Sequence, residues 1–387
     1  MKTAMKHLDE YRDAETARRL SVSIHREASA ARRYRLMEFC GGHTHAIFRY
    51  GIEDLLPANV EMVHGPGCPV CVLPTGRLDM AIRLAKRDGI ILASYGDMLR
   101  VPGSKGQSLL KAKADGADVR MVYSTLDAVK LAEANPDRDV IFFAIGFETT
   151  TPPTALAIDA ASKKKLQNFS VFCNHVLTPS AIAAILEAPA VRELDRVAID
   201  GFLGPAHVSV VIGSQPYEFF AEEYHKPVAI SGFEPIDVLQ SILMLVRQLN
   251  EGRAEVENQY IRAVTRDGNL RAKQVVSRIF ELRRDFEWRG LGHIPYSALR
   301  IKHEYASFDA ERRFDEPYIP SEGVKSCECP AILRGAKKPT DCRLFGRACT
   351  PETPLGSCMV SSEGACAAYY NFGRLHRQVA VTMGGPR

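Results

Sequence analysis

The stretch VIFFAIGFETTTPP, Val140 to Pro153, decides how the fold is read. Its apolar run, Val140–Ile145, is too short for a buried helix and stops at Gly146, so it reads as a short strand covered on both faces. Glu148 with Thr149, Thr150 and Thr151 then opens a helix before Pro152 and Pro153, where capping hydroxyls and early prolines belong. Strand, sharp turn and helix in that order is the repeating unit of a parallel sheet.

Working outward, the same pattern recurs. Leu36–Phe39, Val60–Val63, Ile90–Ala93, Val119–Tyr123, Ser170–Cys173, Val197–Ile199 and Val228–Ile230 read as further buried strands. Helical segments such as Arg77–Arg87, Thr125–Glu133, Pro153–Ala161 and Pro179–Ala188 fall between many of them. The expected class is α/β, with two lobes built on central parallel sheets flanked by helices and a loop-rich C-terminal iron–sulfur module. The expected division is residues 1–120, carrying the Cys40 and CxxC loops, then 121–235 as the second lobe. Residues 236–387 would form a helical connector, Asp237–Phe286, followed by the cysteine module.

Composition fits a soluble globular chain, with 46% hydrophobic and 25% charged residues over 387 positions. The net charge of +4 is small, and Arg32-Arg33 and Lys163-Lys164-Lys165 are only short basic runs. A general nucleic-acid or membrane-surface role is therefore disfavoured. No apolar run approaches the ~18–20 residues of a membrane helix. The start of the chain is polar, with Asp9, Glu10, Asp13 and Glu15, so a cytoplasmic protein is expected. Ten cysteines in a reducing compartment then point to metal ligands or redox thiols.

The unusual residues gather after the strands. Cys40-Gly41-Gly42-His43, Gly65-Pro66-Gly67-Cys68, Ser94-Tyr95-Gly96-Asp97, Gly146-Phe147-Glu148-Thr149, Asn174-His175, Gly201-Phe202-Leu203-Gly204 and Gly232-Phe233-Glu234 all read as strand-end loops. Ligands of open α/β sheets bind outside the carboxyl ends of the strands, so these loops are expected to build one site. Cys68-Pro69-Val70-Cys71 has the spacing of a thiol–disulfide exchange site, and with Cys40 and His43 it could instead hold zinc. A thiolate at Cys40 beside His43 and His45 is a candidate ligand set for iron. Glu148 is a candidate functional carboxylate, whereas Cys173, inside a strand, reads as an inert buried thiol. No GxxxxGK[ST] or GxGxxG follows a strand, which disfavours a nucleotide cofactor.

Residues 317–366 are rich in Pro, Gly and Cys and need an organiser other than an apolar core. Their cysteines are Cys327, Cys329, Cys342, Cys349, Cys358 and Cys366. Singly spaced thiols without a CxxC favour a [4Fe–4S] cluster over structural zinc, and spacing leaves open which four would bind.

Several segments together resemble the HypD family of hydrogenase maturation factors. They are Glu38–His45, Gly65–Cys71, Ile145–Thr150 and Gly201–Ser209, and the spacing C-x12-C-x6-C-x16-C matches Cys329, Cys342, Cys349 and Cys366. The resemblance implies a [4Fe–4S] cluster on those four cysteines, with Cys327 and Cys358 outside the ligand set. It implies a redox-active assembly scaffold rather than a turnover enzyme, building the Fe(CN)2CO unit of [NiFe]-hydrogenase with a HypC-type chaperone. Cyanide would come from the HypE/HypF pair and the finished unit would pass to the hydrogenase large-subunit precursor. Cys40 would bind the iron, with His43 nearby, and Cys68 and Cys71 would form a redox dithiol. A cluster-dependent thiol–disulfide oxidoreductase acting on a protein substrate is the competing function.

Overall fold

The computed structural model describes residues 9–187 and 199–373. Two parallel sheets organise the chain. In the first, Tyr34–Glu38 (β1), Val60–His64 (β2), Gly201–Gly204 (β7), Val228–Ile230 (β8) and Val256–Asn258 (β9) lie in the order β2-β1-β7-β8-β9. In the second, Ile90–Ser94 (β3), Val119–Met121 (β4), Asp139–Gly146 (β5) and Phe169–His175 (β6) lie in the order β4-β3-β5-β6. Every pairing within these sheets is parallel.

The stretch that opened the reading behaves as its apolarity requires. Val140 to Ala144 on β5 are fully buried, and Phe143 stacks on Phe172 of β6 at 5.3 Å. Helix Thr151–Lys163 follows with its prolines in the first turn, where their missing N–H costs nothing. Burying each such phenylalanine contributes roughly 2–3 kcal/mol, so sheet position is set by apolar contact on both faces.

Three expectations need correction. The sheets do not follow the division 1–120 and 121–235, because the chain leaves the first sheet after β2, builds all of the second, and returns for β7. Gly201–Gly204 is a strand, not a loop: Phe202 and Leu203 are fully buried and register with Met37 and Glu38 of β1. Of the strand expected at Val197–Ile199, the first two positions lie outside the described residues and Ile199 is in no strand. The third correction concerns the helical connector. Helices Pro235–Glu251 and Leu270–Ile279 are present, but β9 lies between them. Phe280–Trp288 (β10) then pairs antiparallel with Gly292–Ile301 (β11). That hairpin joins the second sheet's edge through a bridge between Val176 and Ala298.

Beyond Tyr318, the described chain has only short helical turns, including Cys329–Leu333, before a helix over 365–373. Its cysteines and neighbouring apolar residues belong to the same core as helix Thr75–Ala85 and strand β3. Among the described residues no helix is long and apolar enough to cross a membrane.

Candidate functional site

Strand β1 ends at Glu38, and the chain passes through Phe39 to Cys40, which caps helix Gly41–Arg49 in extended conformation. The helix replaces the loop expected at Cys40–His43 and fixes the direction of each side chain. Glu38 is fully buried, and its carboxylate accepts from Cys40 N at 3.0 Å, from Thr44 Oγ1 and from His64 Nδ1 at 2.7 Å. The last contact follows from sheet register, which sets Glu38 opposite His64 at the end of β2. A carboxylate so held locks the cap beneath Cys40.

His43 is fully buried. Its Nε2 lies 3.0 Å from both the Ser231 and Gly232 carbonyls, so the proton sits on Nε2 and the rest of the ring stays neutral. Burial also drives its pKa below the ordinary imidazole value. Nδ1 keeps a lone pair with no protein partner. The ring lies 4.9 Å from Phe233, which also contacts His207 at 4.3 Å. His45 instead turns toward the C-terminal helix, 4.8 Å from Phe372.

The loop after β2 passes directly against Cys40. Gly41 N donates to Gly67 O at 3.0 Å, and a Cβ at Gly67 would stand 2.3 Å from Cys40 N, so only glycine fits. Cys68 and Cys71 follow as a buried disulfide with Cα atoms 5.2 Å apart. The disulfide therefore begins one residue from the Cys40 backbone.

A cleft of ≈ 400 Å³ opens where the ends of both sheets meet, lined by Cys40, Asp97, Phe147, Thr150, His207 and Glu363 among others. The Cys40 thiol is half-buried, and its pKa is pushed up by burial, then by the nearby Glu363 and Glu38 carboxylates. Glu148 does not line this cleft. Its carboxylate accepts from Thr178 N and Oγ1, both at 2.8 Å, and so fastens the start of helix Thr178–Glu187. Burial pushes its pKa up to about 7. Cys173 is buried, donates to Leu299 O at 3.4 Å, and has its pKa pushed up by burial to about 12.

The C-terminal cysteines surround a second, apolar hollow. Cys329, Cys342, Cys349 and Cys366 all line it, as does Cys327, together with Ile332, Leu344, Phe345 and Met359. A Cβ at Gly356 would lie 2.5 Å from Cys327 Sγ and 2.7 Å from Cys329 Sγ, so the backbone there is cut back to make room for sulfur. Cys358 is fully buried and does not line the hollow. Among the described residues no three His, Cys, Asp or Glu side chains gather about a single ion position. Thiols spaced around an apolar hollow suit a multinuclear centre, whose metal atoms take sulfur from several directions.

The disulfide and the cysteine-rich segment touch. Ser357 Oγ donates to Cys71 O at 3.1 Å, and Ser357 O lies 3.9 Å from Cys71 Sγ. Sequence reasoning singled out the cysteines by type but not Glu38, His64, Glu363 or Ser357 as parts of the site. Glu38 carried one signal, a carboxylate ending an apolar strand.

The chain matches the family model described as "HypD: Hydrogenase formation hypA family" over residues 15–373. It is 68% identical over 376 residues to hydrogenase maturation factor HypD2 of Bradyrhizobium diazoefficiens, covering 97% of this chain and 99% of that one. Against hydrogenase maturation factor HypD of Azotobacter vinelandii the identity is 66%, covering 98% and 100%. Against that of Escherichia coli it is 47%, covering 95% and 98%. With a family model matched over residues 15–373 and near full-length similarity to these relatives, the chain belongs to the HypD family of hydrogenase maturation factors.

Proposed function

We propose that this chain is a cytoplasmic scaffold on which the Fe(CN)2CO unit of [NiFe]-hydrogenase is assembled. A HypC-type chaperone would complete the site, HypE/HypF would supply cyanide, and the large-subunit precursor would receive the product. The observation that carries this reading is continuity: the Cys40 edge abuts Gly67 and the Cys68–Cys71 disulfide, which abuts Ser357 and the cysteine-lined hollow. An iron-binding thiol, a redox pair and a cluster site in one row suit metallocentre assembly under reducing control.

Cys40 is the iron ligand in this reading. Its raised pKa keeps it a thiol until metal arrives, and binding then releases the proton. Glu363, on the cleft wall beside it, is positioned to take that proton. His43 Nδ1 offers a neutral lone pair on the same helix, and its fixed tautomer keeps that lone pair available. The N-terminal ends of helices Gly41–Arg49 and Thr151–Lys163 border the cleft and favour an anionic thiolate–cyanide unit. A [4Fe–4S] cluster held by Cys329, Cys342, Cys349 and Cys366 supplies single electrons when bound. Opening the disulfide consumes two electrons, drawn from an external reductant, and two protons, and yields two thiols. Glu148 serves by holding the loop after β5 rather than by touching iron.

The alternative, a cluster-dependent thiol–disulfide oxidoreductase, needs the disulfide and the cluster but not Cys40. Infrared spectroscopy of the protein co-purified with its chaperone separates the two. CO and CN stretches are expected in the wild type and absent in Cys40→Ala, with dithiol redox cycling retained. Unchanged hydrogenase maturation in Cys40→Ala would sink the scaffold.

A further inference from the structure

The loop that holds His43 is itself held from outside, by residues near the start of the described chain. Ser231 and Gly232 give His43 Nε2 its two carbonyls, and Phe233 lays its ring against both His43 and His207. A Cβ at Gly42 would stand 2.4 Å from Phe233 Cε1, so the loop presses on the first turn of the helix that Cys40 caps. Whatever fixes residues 231–234 therefore fixes the His43 ring.

Two anchors do so. The first is Asp237, fully buried, whose carboxylate accepts from Glu234 N at 3.3 Å, from Gln259 Nε2 at 2.8 Å and from both terminal nitrogens of Arg262. Gly232 rests on that carboxylate, since a Cβ there would meet Asp237 Oδ2 at 2.1 Å. A buried carboxylate is tolerated only while it is paired, and Arg262 is the cation that pairs it. The Arg262 guanidinium lies 4.0 Å from the Tyr11 ring and 4.3 Å from the Tyr260 ring, contacts that keep the cation in place. The second anchor is Arg12, which grips Glu234 through two hydrogen bonds, Nη2 to Oε1 at 2.8 Å and Nε to Oε2. Arg12 also lies 5.9 Å from the ring of Tyr50, the residue that closes the Cys40 helix. The dipeptide Tyr11-Arg12 thus reaches the Asp237 pair, the end of the loop and the end of the helix at once. Neither residue lines the cleft, and an exposed ion pair adds little to overall stability, so the effect of this grip is local.

We propose that Tyr11, Arg12 and Arg262 are positioning residues. They form a clasp that fixes residues 231–234 on the Cys40 helix and so holds the His43 ring in the setting that iron assembly uses. Only the last clause rests on the assembly reading given above.

The test uses the full-length protein with isotope-labelled histidine, as wild type, Tyr11→Ala, Arg12→Ala, Arg12→Lys and Arg262→Gln. Nuclear magnetic resonance reads the exchange of the His43 Nε2 proton with water, its signal identified by its loss in His43→Gln. The buried amides of Val140 to Ala144 on β5, followed by hydrogen-exchange mass spectrometry, report the rest of the fold. Exchange at His43 is expected to quicken about threefold in Tyr11→Ala and Arg12→Ala and about tenfold in Arg262→Gln, with the β5 amides unmoved. Arg12→Lys, which keeps the charge but not the paired hydrogen bonds, recovers part of the change. Should Arg262→Gln fold poorly, the Tyr11 and Arg12 variants carry the test. Unchanged exchange at His43 in those variants overturns the clasp, and so does equal quickening at β5, which would make the grip a matter of general stability. Hydrogenase maturation in cells carrying Arg12→Ala should fall as His43 exchange rises. Full maturation despite quickened exchange would uphold the clasp and count against His43 in the assembly reading, which is a different result from either.

Discussion

The Cys40 edge and the cysteine-rich segment sit side by side yet are positioned by opposite means. Cys40 is held by a buried strand, a helix cap, and a carboxylate with three hydrogen-bonded partners, all drawn from the paired sheet. The C-terminal cysteines sit mostly on short turns with little regular structure, and all but Cys358 line a hollow. The first site is fixed before any metal arrives. The second, in the proposed reading, would take its final geometry from the cluster it would hold. Geometry imposed by a core and geometry imposed by a ligand should therefore fail differently.

The largest expected effect breaks the second region and spares the first. Cys342→Ala should abolish iron loading and expose residues 317–366 to protease, while circular dichroism of the sheets stays near wild type. Loss of all secondary structure would show that the two regions are one cooperative unit. Gly67→Ala attacks the first region. Its Cβ meets Cys40 backbone, which cannot move aside, so a loss of about 3 kcal/mol is expected in denaturant titration. A near-neutral result would mean that the Cys40 cap is looser than its contacts imply.

Gly356→Ala is the counterpart on the cluster side. Its Cβ meets thiol ends, which can turn, so it should cost roughly 1–2 kcal/mol but cut iron occupancy, read by iron analysis. Full occupancy would remove Gly356 from the site. The smallest effect tests Glu148, whose carboxyl burial pushes up to about 7, above the ordinary glutamate value. The folded state binds its proton more tightly, so stability is fully present below pH ~4.5 and declines as pH rises toward ~7. Glu148→Gln should flatten that slope by about 1–2 kcal/mol after weaker hydrogen bonds are counted, seen as thermal midpoints against pH. An unaltered slope would place the titration elsewhere.

The same contrast explains what was legible in the sequence. Strands such as Val140–Ile145 declared themselves because apolar runs buried on both faces leave few alternatives. Strand β7 did not, since only Phe202 and Leu203 are large and glycines bracket them. Phe280–Trp288 carries charges in a pattern that mimics a helix face, and its pairing with β11 overrides that local signal. Cysteines are visible by chemistry wherever they lie. The Glu38–His64 pair depends on register between two strands, and Glu363 reaches Cys40 from the far end of the chain. Neither distance is written in spacing.

The order of strands in the first sheet has a consequence for synthesis. β7 lies between β1 and β8, so the sheet that carries Cys40 lacks its middle until residues beyond 200 exist. The carbonyls that set the His43 tautomer arrive later still, at Ser231 and Gly232. The second sheet, contiguous from Ile90 to His175, can close first. A nascent chain would thus carry Cys40 for most of its length as an ordinary thiol. In the proposed function, the setting in which Cys40 would bind iron forms only once the polypeptide is more than half made.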